Sequence, residues 1–351
     1  MGGLETPLLS GSRRTLTDEG LRVGAELVPE GSIILSTRAP IGHLVINEVP
    51  MAFNQGCKGL VPSTGVDTKF AYYFLLANVP LLESLGTGAT FKELSGGKLK
   101  EVPFRFPELS EQRRIVAILD EAFEGIATAK AHAERNLRNA REVFERELEA
   151  LFSGVIPRSV SSTLGSAYDV RDGTHDSPKY HDQGYPLVTS KNLKRDGLSL
   201  DDVKLIDGTD FRKINERSAV HRGDVLFAMI GTIGNPTVVE TEPNFAIKNV
   251  ALLKVSPHQS GHFLRYYLSS QGVATKMQAE AKGTTQKFVG LGYLRAFPIA
   301  VPPLEEQLSI VRELDDLLAE TDRLEDIYAR KLAVLDELKQ SLLHQAVSGQ
   351  L

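Results

Sequence analysis

The sequence is poor in cysteine, in long apolar runs and in catalytic signatures. Its single Cys57 excludes an intrachain disulfide framework and a cysteine-cluster metal site. A reducing compartment, the cytoplasm, is therefore expected. The longest apolar runs, such as "AYYFLLANVPLL", are too short to span a bilayer, so no membrane role is expected. No cationic, apolar secretory leader opens the chain. "LSGGKLK" lacks the upstream Gly and the Ser/Thr of a phosphate loop, and neither G-x-S-x-G nor H-E-x-x-H occurs. "NPTV" (235–238) lacks the Pro-Pro-aromatic continuation of an amino-methyltransferase site. "GLGY" and "GTGAT" read as turns rather than nucleotide cradles. His175, Asp176 and His181 cluster in "DGTHDSPKYH". Turn-forming Asp-Gly and Ser-Pro make that segment a polar surface loop in preference to a metal site. No catalytic residue, metal or cofactor is expected, and Cys57 reads as a small core residue.

What is present is an uneven charge pattern and a long repeat. The 351-residue chain has a formal net charge of −5 and a length that suits two domains. Residues 108–150 hold 7 basic and 10 acidic residues, net −3, and residues 304–351 hold 5 and 11, net −6. Residues 165–303 hold 17 basic and 14 acidic, net +3. The acid lies in two segments with helical spacing, and it is the distribution rather than the total that bears on nucleic-acid binding.

The repeat has a period near 195 residues, too long for a solenoid. "FRFPELSEQRRIV", ending at Val116, echoes "VPPLEEQLSIV" (301–311). Residues 89–92 match 284–287, Pro103 matches Pro298, and Pro107 matches Pro302. "GSIILSTRAPIG" (31–42) matches "GDVLFAMIGTIG" (223–234), and "FAYYFLL" (70–76) matches "LRYYLSS" (264–270). The same landmarks in the same order imply a duplicated domain. The copies are unequal: about 59 residues separate Leu164 from Gly223, and 30 precede Gly31. A segment of roughly thirty residues is thus expected to be missing from the opening of the first copy.

Each copy reads as a small α+β unit. "SIILS", "HLVIN", "CKGLVP", "VLFAMI", "TVVE" and "VALLKVS" are β-branched runs between turn residues, so strands. "TKFAYYFLLANVPLLESL" and "GHFLRYYLSSQGVATKMQAEA" are amphipathic helices. A Gly/Thr/Lys loop follows, then a short strand ("EVPFRF" or "AFPIAVP"), then a long proline-free helix. Three- and four-residue spacing of Ile115, Leu119, Ile126 and Leu148, and of Leu314, Leu318, Leu332 and Leu342, gives narrow seams that favour helix-on-helix coiling. Proline before the first turn and Glu111, Glu305 and Glu306 within it suit a helix start.

Taken together, the "PELSEQ" and "PPLEEQ" helix openings, "DGTHDSPKY…GYPLVTSKNL" (172–193), "RAPIG" (38–42) and the closing "QAVSG" (345–349) resemble the specificity subunit of type I restriction–modification enzymes over nearly the whole chain. The resemblance implies two small α+β target-recognition domains, each reading half of a split DNA sequence, joined by two long helices that form an antiparallel coiled coil. It implies a first recognition domain over 1–107, a spacer helix over 108–154, a second recognition domain over 155–303 and a second spacer helix over 304–351. Its implied partners are double-stranded DNA, modification (methyltransferase) subunits and restriction (ATP-dependent endonuclease/translocase) subunits. No catalytic site belongs to such a subunit. A coiled-coil scaffold without a DNA role, or an inactive remnant of such a subunit, is the alternative.

Several residues are candidates for DNA contact. Ser190, Lys191 and Asn192 follow an apolar strand; lysine can bond guanine and asparagine adenine. Lys282, Thr284, Thr285, Gln286 and Lys287 combine small residues, hydroxyls, an amide and cations suited to phosphates. Thr87, Thr90 and Lys92 are the counterpart loop in the first copy, and Arg38 precedes a Pro/Gly turn. Lys248 and Asn249 follow a short strand. Tyr72, Tyr73, Tyr266 and Tyr267 could stack on bases, but their helical spacing among leucines favours the core.

Overall fold

The computed structural model describes the chain except residues 1–6, 13, 25, 39, 89–91, 156–160, 195–196 and 285. It divides into two compact units, Met1–Asn136 with Tyr328–Leu351, and Leu137–Ile327.

In the first unit the β-branched runs form the strands Ile33–Thr37, Ile41–Asn47 and Cys57–Leu60, antiparallel with Ile33–Thr37 in the middle. Leu8–Leu9 adds in parallel to the outer edge of Ile41–Asn47. Successive side chains face opposite sides of the sheet. Ile33 and Leu35 therefore pack under Phe74 and Leu75, while Ile34 joins Val28 and Val45 on the other side. The apolar stripe covering the sheet comes from the helix Thr68–Ala77, whose N-cap Asp67 accepts a bond from Phe70 N–H at 3.1 Å. One helix was expected over this segment, and there are two: the chain turns at Asn78 and resumes as Val79–Leu85, with Pro80 in the new first turn.

The second unit repeats this plan and extends it. Gly234–Val238, Val225–Ala228, Val250–Lys254 and Asp169–Asp172 form an antiparallel sheet in that order. A smaller sheet joins Lys204–Ile206, Tyr185–Val188 and Ala246–Ile247, and Ser161–Thr163 pairs with Pro298–Ala300. Gly261–Ser269 is the covering helix, capped by Ser260, and the single helix expected here again divides, at Ser270, into a second helix Gln271–Glu280.

Aligning the two caps, Asp67 and Ser260, makes Tyr73 the counterpart of Tyr266, so the pairing of "FAYYFLL" with "LRYYLSS" was one residue out of register. Hydrogen bonds agree with the new register: Tyr73 Oη donates to Asp120 and Tyr266 Oη to Asp315, each at 2.5 Å. Tyr73, Tyr266 and Tyr267 are buried and Tyr72 is half-buried, as the core reading required. A second difference concerns residues 103–106. They belong to "EVPFRF" (101–106), read as a strand, but form no ladder, whereas their counterpart Pro298–Ala300 does. A strand needs a partner, and the segment that pairs with Pro298–Ala300 has no counterpart among the described residues of the first unit.

Two long helices, Leu109–Val155 and Leu304–Ser348, carry these units. Leu119, Ile126, Ala133 and Ala140 recur every seven residues along the first and are buried, the period of a coiled-coil seam. Within the first unit Lys130 Nζ meets Asp336 at 2.7 Å and Asn136 Nδ2 meets Tyr328 Oη at 3.2 Å. Numbers rise on one helix as they fall on the other, so the pair is antiparallel. Within the second unit Arg141 pairs with Glu325 at 2.9 Å, and Leu148 and Phe152 share a core with Ile310, Val311 and Leu314. The fold is α+β with two long antiparallel helices, as expected.

Candidate nucleic-acid interface

Each unit closes a small loop at the same place. In the second unit the backbones of Lys282 and Phe288 exchange bonds of 2.9 and 2.8 Å, drawing residues 282–288 into a ring. Gly283, at φ +98°, makes the closure: a Cβ there would lie 2.3 Å from Gln286 O. The ring is fastened to the end of the central strand by Gly231 N–H to Lys287 O, 3.0 Å, and Val289 N–H to Met229 O, 2.9 Å. In the first unit Thr87 and Glu93 exchange bonds of 3.1 and 2.9 Å, and Leu94 N–H reaches Thr37 O at 2.8 Å. Thr87, Glu93 and Leu94 stand 195 residues before Lys282, Phe288 and Val289. The loop is thus a duplicated device, not a chance turn.

Its residues face solvent. Lys282, Thr284, Gln286 and Lys287 are exposed, and so are Thr87, Lys92 and Arg38. Arg38 lies opposite Glu93 in an isolated antiparallel bridge, which brings it beside the Thr87 loop. Thr90 and Thr285 lie outside the described residues.

The "TSKNL" segment forms a 3-10 turn, Ser190–Asn192, after the strand Tyr185–Val188. Together with Lys194, Thr232 and Asn235, Ser190 and Lys191 line a polar cleft of about 370 Å³. Asn235 adopts φ +47° and donates to Leu193 O at 2.9 Å, clamping its own turn to this segment. The adjacent Gly231 lies against Gln286 of the closed loop. Three stretches of the second unit, 190–194, 231–235 and 282–287, therefore meet on one surface, with exposed Lys191 and Lys194 and the loop lysines around it. Lys194, Thr232 and Asn235 were missed by the sequence reading; the basic run "KNLKR" was the available signal for Lys194.

Three residues expected to contact DNA, Asn192, Lys248 and Asn249, are engaged within the fold. Asn192 is buried, and both ends of its amide are engaged: Oδ1 accepts from Thr189 N–H at 2.9 Å and from its hydroxyl at 3.0 Å, and Nδ2 donates to Ser199 O at 3.1 Å. It shapes the turn and has no edge left for a base. Lys248 is buried and donates to Ser177 Oγ at 2.6 Å. Asn249, at φ +54°, holds His175 Nδ1 at 2.8 Å. Lys248 and Asn249 thus anchor residues 174–177.

That anchored segment has its own electrostatics. His175 Nε2 meets Asp172 Oδ2 at 2.8 Å, and Arg217 meets Asp172 Oδ1 at 2.9 Å. Each ring nitrogen of His175 thus faces a side-chain oxygen, one from Asn249 and one from Asp172. The bond to Asn249, then that to Asp172, raises the His175 pKa above the ordinary histidine value. Among the described residues no group of three or more His, Cys, Asp or Glu side chains is placed to hold a metal ion.

The architecture defines a class: a two-copy α+β protein whose units each end in a closed polar loop and are mounted on paired long helices. The chain belongs to the family of the type I restriction modification DNA specificity domain, whose model matches residues 10–135 and 174–330. It is 24% identical to the type I restriction enzyme MjaIX specificity subunit of Methanocaldococcus jannaschii, over 98% of this chain and 83% of that one. It is 24% identical to the EcoBI specificity subunit of Escherichia coli, over 98% and 78%. The fold matches a chain solved in work on the assembly and conformational transition of the type I R-M system, with TM-score 0.77 and 18% identity over 93% of this chain and 84% of that one. The HsdS subunit of Thermoanaerobacter tengcongensis matches with TM-score 0.63 and 19% identity, over 93% and 82%. No helix among the described residues is long and apolar enough to cross a membrane.

Proposed function

We propose that the chain is the sequence-reading, non-catalytic subunit of a type I restriction–modification complex. It binds double-stranded DNA, with residues 1–107 and 155–303 each reading half of a bipartite site. It also positions modification (methyltransferase) subunits and restriction (ATP-dependent endonuclease/translocase) subunits. The observation that carries this reading is the duplicated loop, closed by Thr87 with Glu93 and by Lys282 with Phe288, in a chain of this family. Two unequal copies of one exposed polar loop suit an asymmetric, two-part target. In the second unit, cations from 190–194 and 282–287 would bear on phosphates, while Gln286 and Ser190 would reach toward base edges. A 47-residue helix is about 70 Å long at ~1.5 Å per residue, a length suited to setting the spacer between half-sites.

Single-molecule methylation mapping of the host, with and without the gene, tests the proposal. A bipartite methylated motif that vanishes on deletion is the expected result. An unchanged methylome would overturn it and favour a scaffold without a DNA role.

A further inference from the structure

The segment 172–178 of the second unit is fixed in place by its own backbone. Gly173 N–H reaches Val250 O and Thr174 N–H reaches Ile247 O, each at 3.0 Å, and Asn249 N–H returns to Thr174 O at 3.1 Å. Only glycine permits this approach at 173, where a Cβ would collide with Ile247 O. Lys248 N–H in turn reaches Val188 O at 2.9 Å, just before the turn Ser190–Asn192, so the segment adjoins the candidate interface. Opposite it stands the helix Gly208–Ser218. Between segment and helix lies a polar cleft of about 460 Å³.

The cleft is rich in hydrogen-bond donors that the fold leaves over. Lys248 is 9% exposed, and its Nζ meets Ser177 Oγ at 2.6 Å. A buried charge is ordinarily paired, yet no carboxylate pairs with Lys248 among the described residues. An ammonium can only donate, so Ser177 Oγ is the acceptor in that bond. The Ser177 hydrogen must therefore go to another acceptor. Ser177 is exposed and lines the cleft, and its hydroxyl makes no second bond among the described residues. Thr174 Oγ1 accepts from Asp176 N–H at 3.1 Å, which leaves its own hydrogen over as well. From the helix, exposed Lys213 and Arg217 line the same cleft. Asp176 and Asp210 line it too and oppose an anion, but neither accepts from Ser177, Lys213 or Lys248. Asp172 is already taken up by His175 and Arg217.

We infer that this cleft holds a phosphate group, with the Ser177 and Thr174 hydroxyls donating to it, Lys213 and Arg217 pairing with it, and the Lys248 charge behind Ser177. Hydroxyls and cations converging on one point suit a tetrahedral oxyanion, whose several oxygens can each accept. The Lys248 ammonium then gains the counter-charge that the protein does not supply. The source of the phosphate rests on the DNA reading proposed above: it is a backbone phosphate of the duplex, bound beside the Ser190–Asn192 turn. The Lys248–Ser177 bond thus positions a donor for the ligand, and Lys248 itself stays within the fold.

Phosphate-ethylation interference on the complex with the modification subunit tests it, with the full chain compared with Ser177→Ala and with Lys213→Ala, a change at an exposed helix position. In the unaltered chain, ethylation of one particular backbone phosphate should weaken binding by about tenfold, the worth of a charge-assisted hydrogen bond. Each variant should lose its response at that phosphate and keep its response at the others, a pattern that a general folding defect does not produce. Where duplex binds, responses identical in all three proteins at every phosphate overturn the inference. Where no duplex binds, the DNA reading has failed, and equilibrium dialysis of the full chain against labelled inorganic phosphate decides. Saturable phosphate binding that both variants lose then keeps the cleft, with free phosphate as its source. Phosphate binding that is absent, or unchanged in the variants, overturns it.

Discussion

Gln307 Oε1 accepts a hydrogen bond from Ser260 N–H at 2.9 Å, in a site where Gln307 is 1% exposed. The other end of the same amide donates to Pro302 O at 2.8 Å. Ser260 is the N-cap of the helix covering the sheet, and Pro302 precedes the long helix. One side chain thus fixes the start of both helices. The first unit repeats the arrangement: Gln112 accepts from Asp67 N–H at 2.8 Å and donates to Pro107 O at 2.8 Å. The recurring Glu-Gln of "PELSEQ" and "PPLEEQ" is therefore more than a helix start. Its glutamate faces the helix dipole, and its glutamine locks the helix to its own unit.

Replacing Gln307 by Ala should leave a buried N–H and a buried carbonyl unpaired, each costing about 1–3 kcal/mol. Urea unfolding should show the loss. Gln112→Ala should act likewise in the first unit, and exchange at the Ser260 and Asp67 amides should report which unit has loosened. Unchanged exchange at Ser260 in the Gln307 variant would contradict this role.

Asp224 carries a second buried junction. It is 2% exposed and accepts from Lys254 Nζ at 2.5 Å, His221 N–H at 2.7 Å and Val255 N–H at 3.1 Å. Removing Asp224 leaves the Lys254 ammonium without its counter-charge and two backbone N–H groups without their acceptor, a loss of about 3–5 kcal/mol. Asp224→Ala should therefore destabilise the protein far more than loss of the exposed Arg146–Glu142 pair, where the expected effect is about 0–1 kcal/mol. Thermal melts of the two variants compare them directly.

Much of the fold was legible in the sequence because it rests on local periodicity: "SIILS", "HLVIN" and "VALLKVS" became strands, and the two leucine-spaced segments became long helices. What was not legible depends on distant partners. The burial of Asn192 follows from carbonyls at Ser199 and Asp202, and that of Lys248 from a serine 71 positions away. The absent strand at 103–106 follows from a partner that the described residues of the first unit do not present. A polar residue after an apolar strand looks the same in a list of letters whether it faces solvent or clamps a turn.

The His175 geometry predicts a pH-dependent loop. Its pKa is raised by Asn249 and Asp172, so the stabilising contribution is fully present below the unfolded histidine value. It is lost as pH rises through the higher folded value. Asp172 also faces Arg217, whose charge opposes that of the imidazolium. An NMR titration should place the His175 imidazole above an ordinary histidine, and Asp172→Asn should bring it down. Exchange of amides in 174–177 should quicken as pH passes the His175 midpoint, beyond the intrinsic pH effect seen in the His175→Gln protein. A His175 midpoint unmoved by Asp172→Asn would exclude the carboxylate as a cause.

The duplicated loop gives the sharpest test of DNA reading, because its cations and its amide should fail in different ways. Lys282 and Lys287 are exposed on the ring closed at Phe288, so the contribution to DNA binding proposed for them is electrostatic. Removing one lysine–phosphate interaction should lower the slope of log K against log salt by about 0.9, whatever the DNA sequence. The double variant Lys282→Ala with Lys287→Ala should therefore weaken cognate and random duplexes alike, with the slope reduced by about 2. Gln286→Ala should leave the slope unchanged and cost about 1–3 kcal/mol on the cognate duplex alone. Asn192→Ala should instead act through the fold, lowering stability and all DNA binding together, since both ends of its amide are buried in the turn. Binding of the three variants across a salt series, in the complex with the modification subunit, separates these outcomes. A Gln286 effect equal on cognate and random DNA would remove that residue from sequence reading.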